Sequence, residues 1–363
     1  MKFTPAITHS VLEPATGRGD RSRKILRGMV LSSRASIRVV RTLRSHHLRC
    51  MSTIGVMRSP FSTPERDAFR QTIRDFVSEN LTPNSDAWDE AGEIPWEYHA
   101  KLGELGVWGF GISEEYGGLG FDDAFMRAIY SEELMMCGAG GVWAGLNGRM
   151  ISVEPISRLA NDEIKARALA DIVAGRAGSC LGITEPGGGS DVAEMKTTAR
   201  KDGDSYVLNG SKTYITGGMN ASYFVVGART GDAGLGGISL FFLDRDTPGF
   251  DRTPLERKMG WWASDQATLY FNECRVPAAH LMGKENKGFL AIMENFNYER
   301  VALIAGCLGM MRICLAESIA WARQRKTFGV PLIQHQVGPC ARAESVLGLC
   351  VRSHRHAHPA AIR

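Results

Sequence analysis

Between Gly182 and Leu281 the chain reads as short runs, SYVL, SKTYIT, ASYFVVGAR, GISLFFLD and ATLYFNECRVP, rich in Val, Ile, Tyr, Phe and Thr. Branched and aromatic side chains of this kind suit a pleated surface. The runs recur every ~10–15 residues with no helical stretch between them, which excludes βαβ units and favours an antiparallel sandwich or barrel. No G-x-G-x-x-G leads a strand into a helix, so a Rossmann nucleotide site is disfavoured. Asp202-Gly203 and Thr247-Pro248-Gly249 read as turns. Asn209-Gly210 reads as a hairpin joining SYVL to SKTYIT.

Helical patterns flank this segment. Ser62-Thr63-Pro64-Glu65 offers a cap, a first-turn proline and an early acid. Phe69, Ile73 and Phe76-Val77 then repeat on one face. Gly117-Gly118 and Gly120 break the pattern inside GFGISEEYGGLG, and EELMMCGAG and EIKARALADIVAGRA resume it. From about Gly288 to Arg325 the chain is again helical, without proline, and Ala305, Gly306 and Gly309 leave room for a close neighbour. The expected fold class is α+β and multidomain. An N-terminal helical domain spans 62–180, a middle antiparallel β-sandwich or barrel 181–285, and the start of an incomplete C-terminal helical bundle 286–337. Residues 1–61 and 338–363 fall outside these as a basic extension and an atypical tail.

Charge follows the same division. The formal +4 splits into +9 for residues 1–50, +3 for 338–363 and −8 for the rest. A basic face interleaved with aromatics is missing, so no nucleic-acid partner is expected. No uninterrupted apolar run reaches the ~18 residues of a membrane span. The eight cysteines show no CxxC or zinc spacing, so neither a metal nor a disulfide framework is expected. The Arg-rich first fifty residues read either as a mitochondrial transit peptide or as an over-called start before Met51 or Met57. The first reading implies the mitochondrial matrix, the second a bacterial cytoplasm. Gly338-Pro339 would break a helix begun near Ile333, and the Arg/His-rich tail beyond has no helical period.

The densest local signal is LGITEPGGGSDVAEMKT, followed by NGSKTYITGG. Gly187, Gly188 and Gly189 allow a tight bend and close approach of a ligand to backbone N–H groups. Thr184 and Ser190 flank them with hydroxyls. This string resembles the flavin-contacting segment of the acyl-CoA dehydrogenases. STPERDAFRQTIRDFVSENLTP, GVWGFGISEEYGGLGFD, MGWWASDQATLYFNECRVPAAHLMG and NYERVALIAGCLGMMRICLAESIAWARQRKTFGVPLIQHQ extend the resemblance from about Ser62 to Val337. Family members carry roughly a hundred further residues there, completing a four-helix bundle. Their absence implies unpartnered apolar residues at Leu303, Leu308, Met311 and Leu315.

The resemblance implies FAD as cofactor, an acyl-CoA thioester as substrate and an electron-transfer flavoprotein as acceptor. It also implies a homodimer or homotetramer. Leu181, Ile183 and Thr184 match positions lining the flavin. Tyr214 and Thr216 match an aromatic over one flavin face and a hydroxyl near its N5. Ser190 matches a contact to both cofactor and the pantetheine arm. Asn297 and Arg300 match positions near the CoA arm. Arg325, Thr327, Phe328 and Gln336 match residues that reach the cofactor of a neighbouring subunit. Glu299, directly before Arg300, matches the base placement of the isovaleryl and long-chain branches. A base facing flavin and acyl chain is desolvated, so its pKa should rise toward neutrality. An acyl-CoA oxidase, a nitroalkane-oxidase-like enzyme and an inactive remnant are the competing readings.

Overall fold

The computed structural model describes residues 61–256 and 258–335. Seven helices form the first layer: α1 Pro64–Phe76, α2 Ser85–Ala91, α3 Glu97–Glu104, α4 Ala124–Met135, α5 Gly140–Asn147, α6 Val153–Leu159 and α7 Asp162–Val173. Thr63 caps α1, its side chain accepting from Arg66 N–H, with proline in the first turn. That satisfies one orphan donor of the helix end. Ile73 and Val77 from the expected stripe are buried in one core with Leu102, Leu134, Val142 and Trp143.

Eight strands follow in one sheet: β1 Ser179–Gly182, β2 Thr198–Asp202, β3 Ser205–Thr216, β4 Tyr223–Arg229, β5 Ile238–Asp244, β6 Phe250–Pro254, β7 Gln266–Pro277 and β8 Leu281–Met282. Their order is β6-β7-β3-β2-β4-β5-β8, with β1 on β4. Strands β4 and β5 are buried on both faces. Val225, Leu240 and Phe242 pack against residues of α6 and α7, while Phe224, Val226, Phe241 and Leu243 face Leu208, Leu269 and Phe271 of β3 and β7. A strand covered on both sides reads as a continuous apolar run, as FVV and FFL do.

One expectation is corrected. Asn209-Gly210 is not a hairpin. β3 runs unbroken through it, with a register shift against β7 between Leu208 and Gly210. Gly210 takes φ +141°, and a Cβ there would lie 2.7 Å from Thr197 Oγ1. The glycine serves a bulge and a close approach, which need the same residue as a turn does. The hairpin is instead at Gly203-Asp204, where Asp202 pairs with Ser205. The sheet is antiparallel as expected, apart from two short parallel contacts. β1 pairs with β4 in parallel over four residues, and Thr198 of β2 meets Arg229 of β4 in the same sense. The intervening β2–β3 hairpin supplies the long connection that a parallel pair requires.

The last long element is α8, Gly288–Gln324. Its most apolar stretch has a mean hydropathy of 1.6, enough by length and composition to cross a membrane, although no single run suggested it. Here it packs on α4 and the sheet. A Cβ on Gly306 would meet Trp143 Cζ2 at 2.6 Å, one on Gly309 would collide with the Glu132 carbonyl oxygen, and one on Gly288 would meet the Ser239 backbone at 2.9 Å. Arg312 of α8 pairs with Glu132 at 2.7 Å. Arg70 pairs with Glu132 at 2.9 Å and also with Glu133, and Arg74 pairs with Glu133 at 2.9 Å. Three guanidinium groups thus join α1 and α8 to two buried carboxylates of α4. Leu308, expected to lack partners, is buried, because it shares the α4-facing side with Ala305 and Gly309. Leu303, Ile304 and Trp321 are exposed. A short hairpin, β9 Lys326–Thr327 and β10 Val330–Pro331, follows the helix.

Candidate active site

Where the helical domain, β3 and α8 meet, they line a partly open cavity of about 170 Å³. Glu299 and Thr216 both line it. Glu299 lies three turns into α8, and its carboxyl reaches inward because Asn295, one turn earlier, faces the same way. Asn295 Nδ2 donates to Glu299 Oε1 at 2.9 Å. Burial pushes the Glu299 carboxyl up to about 7, although the Arg300 charge and the Asn295 hydrogen bond pull the other way. The desolvation expected from the sequence is therefore present.

The Gly-rich loop lies at the end of β1, beside β3. Thr213 N–H donates to Thr184 O at 2.9 Å, which seats the loop beside the strand that carries Tyr214 and Thr216. Ile183 is buried, Leu181 and Thr184 are half-buried, and Ser190 is exposed. Tyr214 has φ +59°, at a second register shift of β3, and its side chain is 61% exposed. A left-handed backbone is uncommon for an aromatic residue, and such conformations gather at functional sites. Cβ atoms built on Gly187 and Gly188 meet nothing within 4 Å. The glycines therefore leave open space above the loop; none of the three has a positive φ.

The loop is anchored by a pair that its sequence did not reveal. Lys212 is fully buried, and its Nζ contacts Glu185 Oε1 at 2.8 Å and donates to Ile183 O at 3.2 Å. Glu185 also accepts from the N–H groups of Lys196 and Thr197 at 2.8 and 2.9 Å. Burial opposes charge on Glu185, but Lys212 and these donors outweigh it and hold the carboxyl below its ordinary value. Burial lowers Lys212 to about 8 against the pull of Glu185. The two ends of the motif TEPGGG…SKTYIT are thus tied through one interior ion pair. Asn295 was missed as well. Its i, i+4 spacing to Glu299 was the available signal.

Other expected site residues lie apart from the cavity. Asn297 and Arg300 are on the exposed side of α8, where Arg300 Nη1 donates to Asn297 Oδ1 at 2.9 Å. Arg325 ends α8, and Leu332 N–H donates to its carbonyl at 2.7 Å. Thr327 Oγ1 pairs with His335 Nε2 at 2.9 Å. Phe328 stands at the hairpin tip with φ +52° and is 98% exposed. Gln336 lies outside the described residues.

A helical layer, a β-domain and a long helix meet at a cavity with a raised-pKa carboxyl, which marks it as the candidate active site. Comparison with known proteins defines it further. Residues 63–176, 180–274 and 286–346 match the N-terminal, middle and C-terminal domains of acyl-CoA dehydrogenase. The chain is 34% identical to an acyl-CoA dehydrogenase of Bacillus subtilis (strain 168) over 275 residues, 76% of this chain and 72% of that one. It is 35% identical to cyclohexane-1-carbonyl-CoA dehydrogenase of Geobacter metallireducens over 268 residues, 74% and 70% of the two chains. A crystal structure of an acyl-CoA dehydrogenase from Mycobacterium smegmatis, described as putative, superposes with a TM-score of 0.77 at 40% identity, covering 83% of this chain and 79% of that one. This chain belongs to the acyl-CoA dehydrogenase family, FAD-dependent oxidoreductases acting on acyl-CoA.

Proposed function

We propose that the protein catalyses α,β-dehydrogenation of an acyl-CoA thioester to the trans-2-enoyl-CoA, with Glu299 as the α-proton base. The observation that carries this is the cavity-lining Glu299 carboxyl, half-buried, held by Asn295 and poised near neutrality. A base with a pKa near the working pH is the most effective proton acceptor. Asn295 fixes one carboxyl oxygen, so the other can take the proton without reorientation.

The residues present fit FAD. Open space lies above Gly187 and Gly188, and Tyr214, next to the Thr213 N–H that bonds Thr184 O, leaves its ring largely exposed. When bound, the flavin supplies an acceptor for the β-hydride. Leu181, Ile183 and Thr184 would form its seat, Tyr214 would cover a face and Thr216 would offer a hydroxyl from the cavity side. The Lys212–Glu185 pair keeps that seat in shape. Ser190 would meet the pantetheine arm, and Asn297 with Arg300 the outer CoA. Arg325, Thr327 and Phe328 would serve a second copy of the chain. An exposed aromatic on a left-handed hairpin tip is costly unless it has a partner. Electrons would leave to an electron-transfer flavoprotein.

The test is a pH–rate profile with the flavin-loaded protein and an artificial electron acceptor. Glu299 must be ionised to act, so kcat/KM should rise with pH through about 7. A profile flat from pH 5 to 8, roughly the range a normal carboxylate would leave unchanged, would remove Glu299 from the base role.

Thr216→Ala should weaken FAD retention by about 5- to 150-fold, the effect of one buried hydrogen bond at ~1–3 kcal/mol. Flavin absorbance after gel filtration measures this, with far-UV dichroism as the folding control. Unchanged retention would return Thr216 to an ordinary strand residue.

A further inference from the structure

The walls of the cavity beside Glu299 bear on what the acyl group can be. The cavity volume is about 170 Å³, and a carbon-lined cavity of about 150 Å³ accommodates one benzene ring. Phe110, Tyr130, Trp143, Trp261 and Tyr298 contribute to its walls. Aromatic walls favour a ring-shaped guest, which meets them by edge-to-face or offset contacts.

Two of these residues form a braced wall. The rings of Trp143 and Trp261 meet edge-to-face, with centroids 5.8 Å apart. Trp143 Nε1 donates to Ser131 O at 3.0 Å and to Ser131 Oγ at 3.1 Å, and its ring abuts Gly306 of α8. Trp261 has φ +58°, an outlier for so bulky a residue. The loop around it is clamped. Lys258 Nζ donates to Trp261 O at 2.9 Å, Trp262 Nε1 to Lys258 O at 2.9 Å, and Ala263 N–H to Asp89 Oδ1 at 2.9 Å. Gly140 presents no Cβ, and one built there would meet Trp261 Cδ1 at 2.9 Å. Lys258 and Asp89 thus hold the backbone of the loop that carries Trp261, and Gly140 leaves room for its indole. Strain of this kind persists where the surroundings over-determine it.

We propose that the substrate is a CoA thioester whose acyl group is a single six-membered carbocycle, and that Trp261 sets the size limit. This rests on the dehydrogenase reading above. For a cyclohexanecarbonyl thioester Glu299 would take the C1 proton, bound FAD would supply the acceptor for the C2 hydride, and the cyclohex-1-ene carbonyl thioester would remain. A long linear chain running toward the Trp143–Trp261 wall would meet the indole pair.

The experiment compares kcat/KM for cyclohexanecarbonyl-, hexanoyl- and palmitoyl-CoA with the full flavin-loaded chain, in the parent and in Trp261→Gly. Glycine takes φ +58° without strain, so the variant keeps its backbone. In the parent the ring should be favoured at least about tenfold over both linear thioesters, within the range one pocket contact discriminates. In Trp261→Gly that preference should fall about tenfold, and palmitoyl-CoA should gain by a similar factor. Calorimetric binding of cyclohexenecarbonyl-CoA and 2-hexenoyl-CoA should show the same order without turnover. A parent that prefers a linear thioester, or unchanged ratios in the variant, overturns the proposal. Glu299-dependent turnover of linear thioesters alone would leave the dehydrogenase reading standing. No oxidation of any thioester by the loaded protein would overturn both.

Discussion

Glu299→Gln should lower turnover by at least about a hundredfold, the range for loss of a general base, while substrate and FAD binding persist. Glutamine has the same shape and can still accept the Asn295 hydrogen bond, but it cannot take a proton. The change should not unfold the protein, and the sign of the pKa shift says why. The folded state holds the Glu299 proton up to about 7, whereas an ordinary glutamate releases it near 4.5. Between these values the folded chain binds a proton that the unfolded chain has lost, so stability declines as pH rises through that window. Removing the charge should therefore make the variant equal to the parent near pH 5 and more stable near pH 8. Initial rates and thermal midpoints at the two pH values check both parts. Near-normal turnover would locate the base elsewhere.

Glu133→Ala should cost about 3–5 kcal/mol, the loss from breaking a buried ion pair on one side. Glu133 is the shared acceptor of Arg70 and Arg74, and Arg312 lies 3.7 Å from it. Without it Arg74 loses its carboxylate partner, and Arg70 and Arg312 are left to share Glu132. Burial alone would raise the Glu133 carboxyl, but Arg74, Arg70 and Arg312 together hold it below its ordinary value. Its stabilisation is thus complete above the ordinary carboxylate range and fades as pH falls through the lowered folded value. Arg74→Ala removes a more exposed partner and should cost about 1 kcal/mol or less. Urea denaturation of the two variants gives the comparison. A Glu133→Ala midpoint indistinguishable from that of Arg74→Ala would show that the cluster is not cooperative.

Much of this architecture could be read in advance because its signals are local. The first-turn proline and cap of α1, the proline-free reach of α8 and the doubly apolar β4 and β5 are all written in neighbouring residues. The raised pKa of Glu299 followed from desolvation, given its position. What escaped the reading depends on partners far along the chain. Asn209-Gly210 carries the same chemistry whether it turns or bulges, and Thr197 and β7 decide between them. β1 finds β4 more than forty residues later. Lys212 looks like a solvated strand residue until Glu185 is seen beneath it. The Arg70, Arg74, Glu132 and Glu133 spacing fits two ordinary helix surfaces, and only their packing buries the charges.

Helix α8 is pinned at Gly288 by the sheet and at Gly306 by Trp143, with Glu299 between. Eighteen residues of helix span about 27 Å, and a rod held at both points can neither slide nor roll. Glu299, the proposed base, is thereby held by elements other than the 258–262 loop, which carries Trp261 on the pocket wall. Substrate preference in such a scaffold can drift through that loop over evolutionary time, or be moved by design, while the proton-transfer geometry is inherited unchanged.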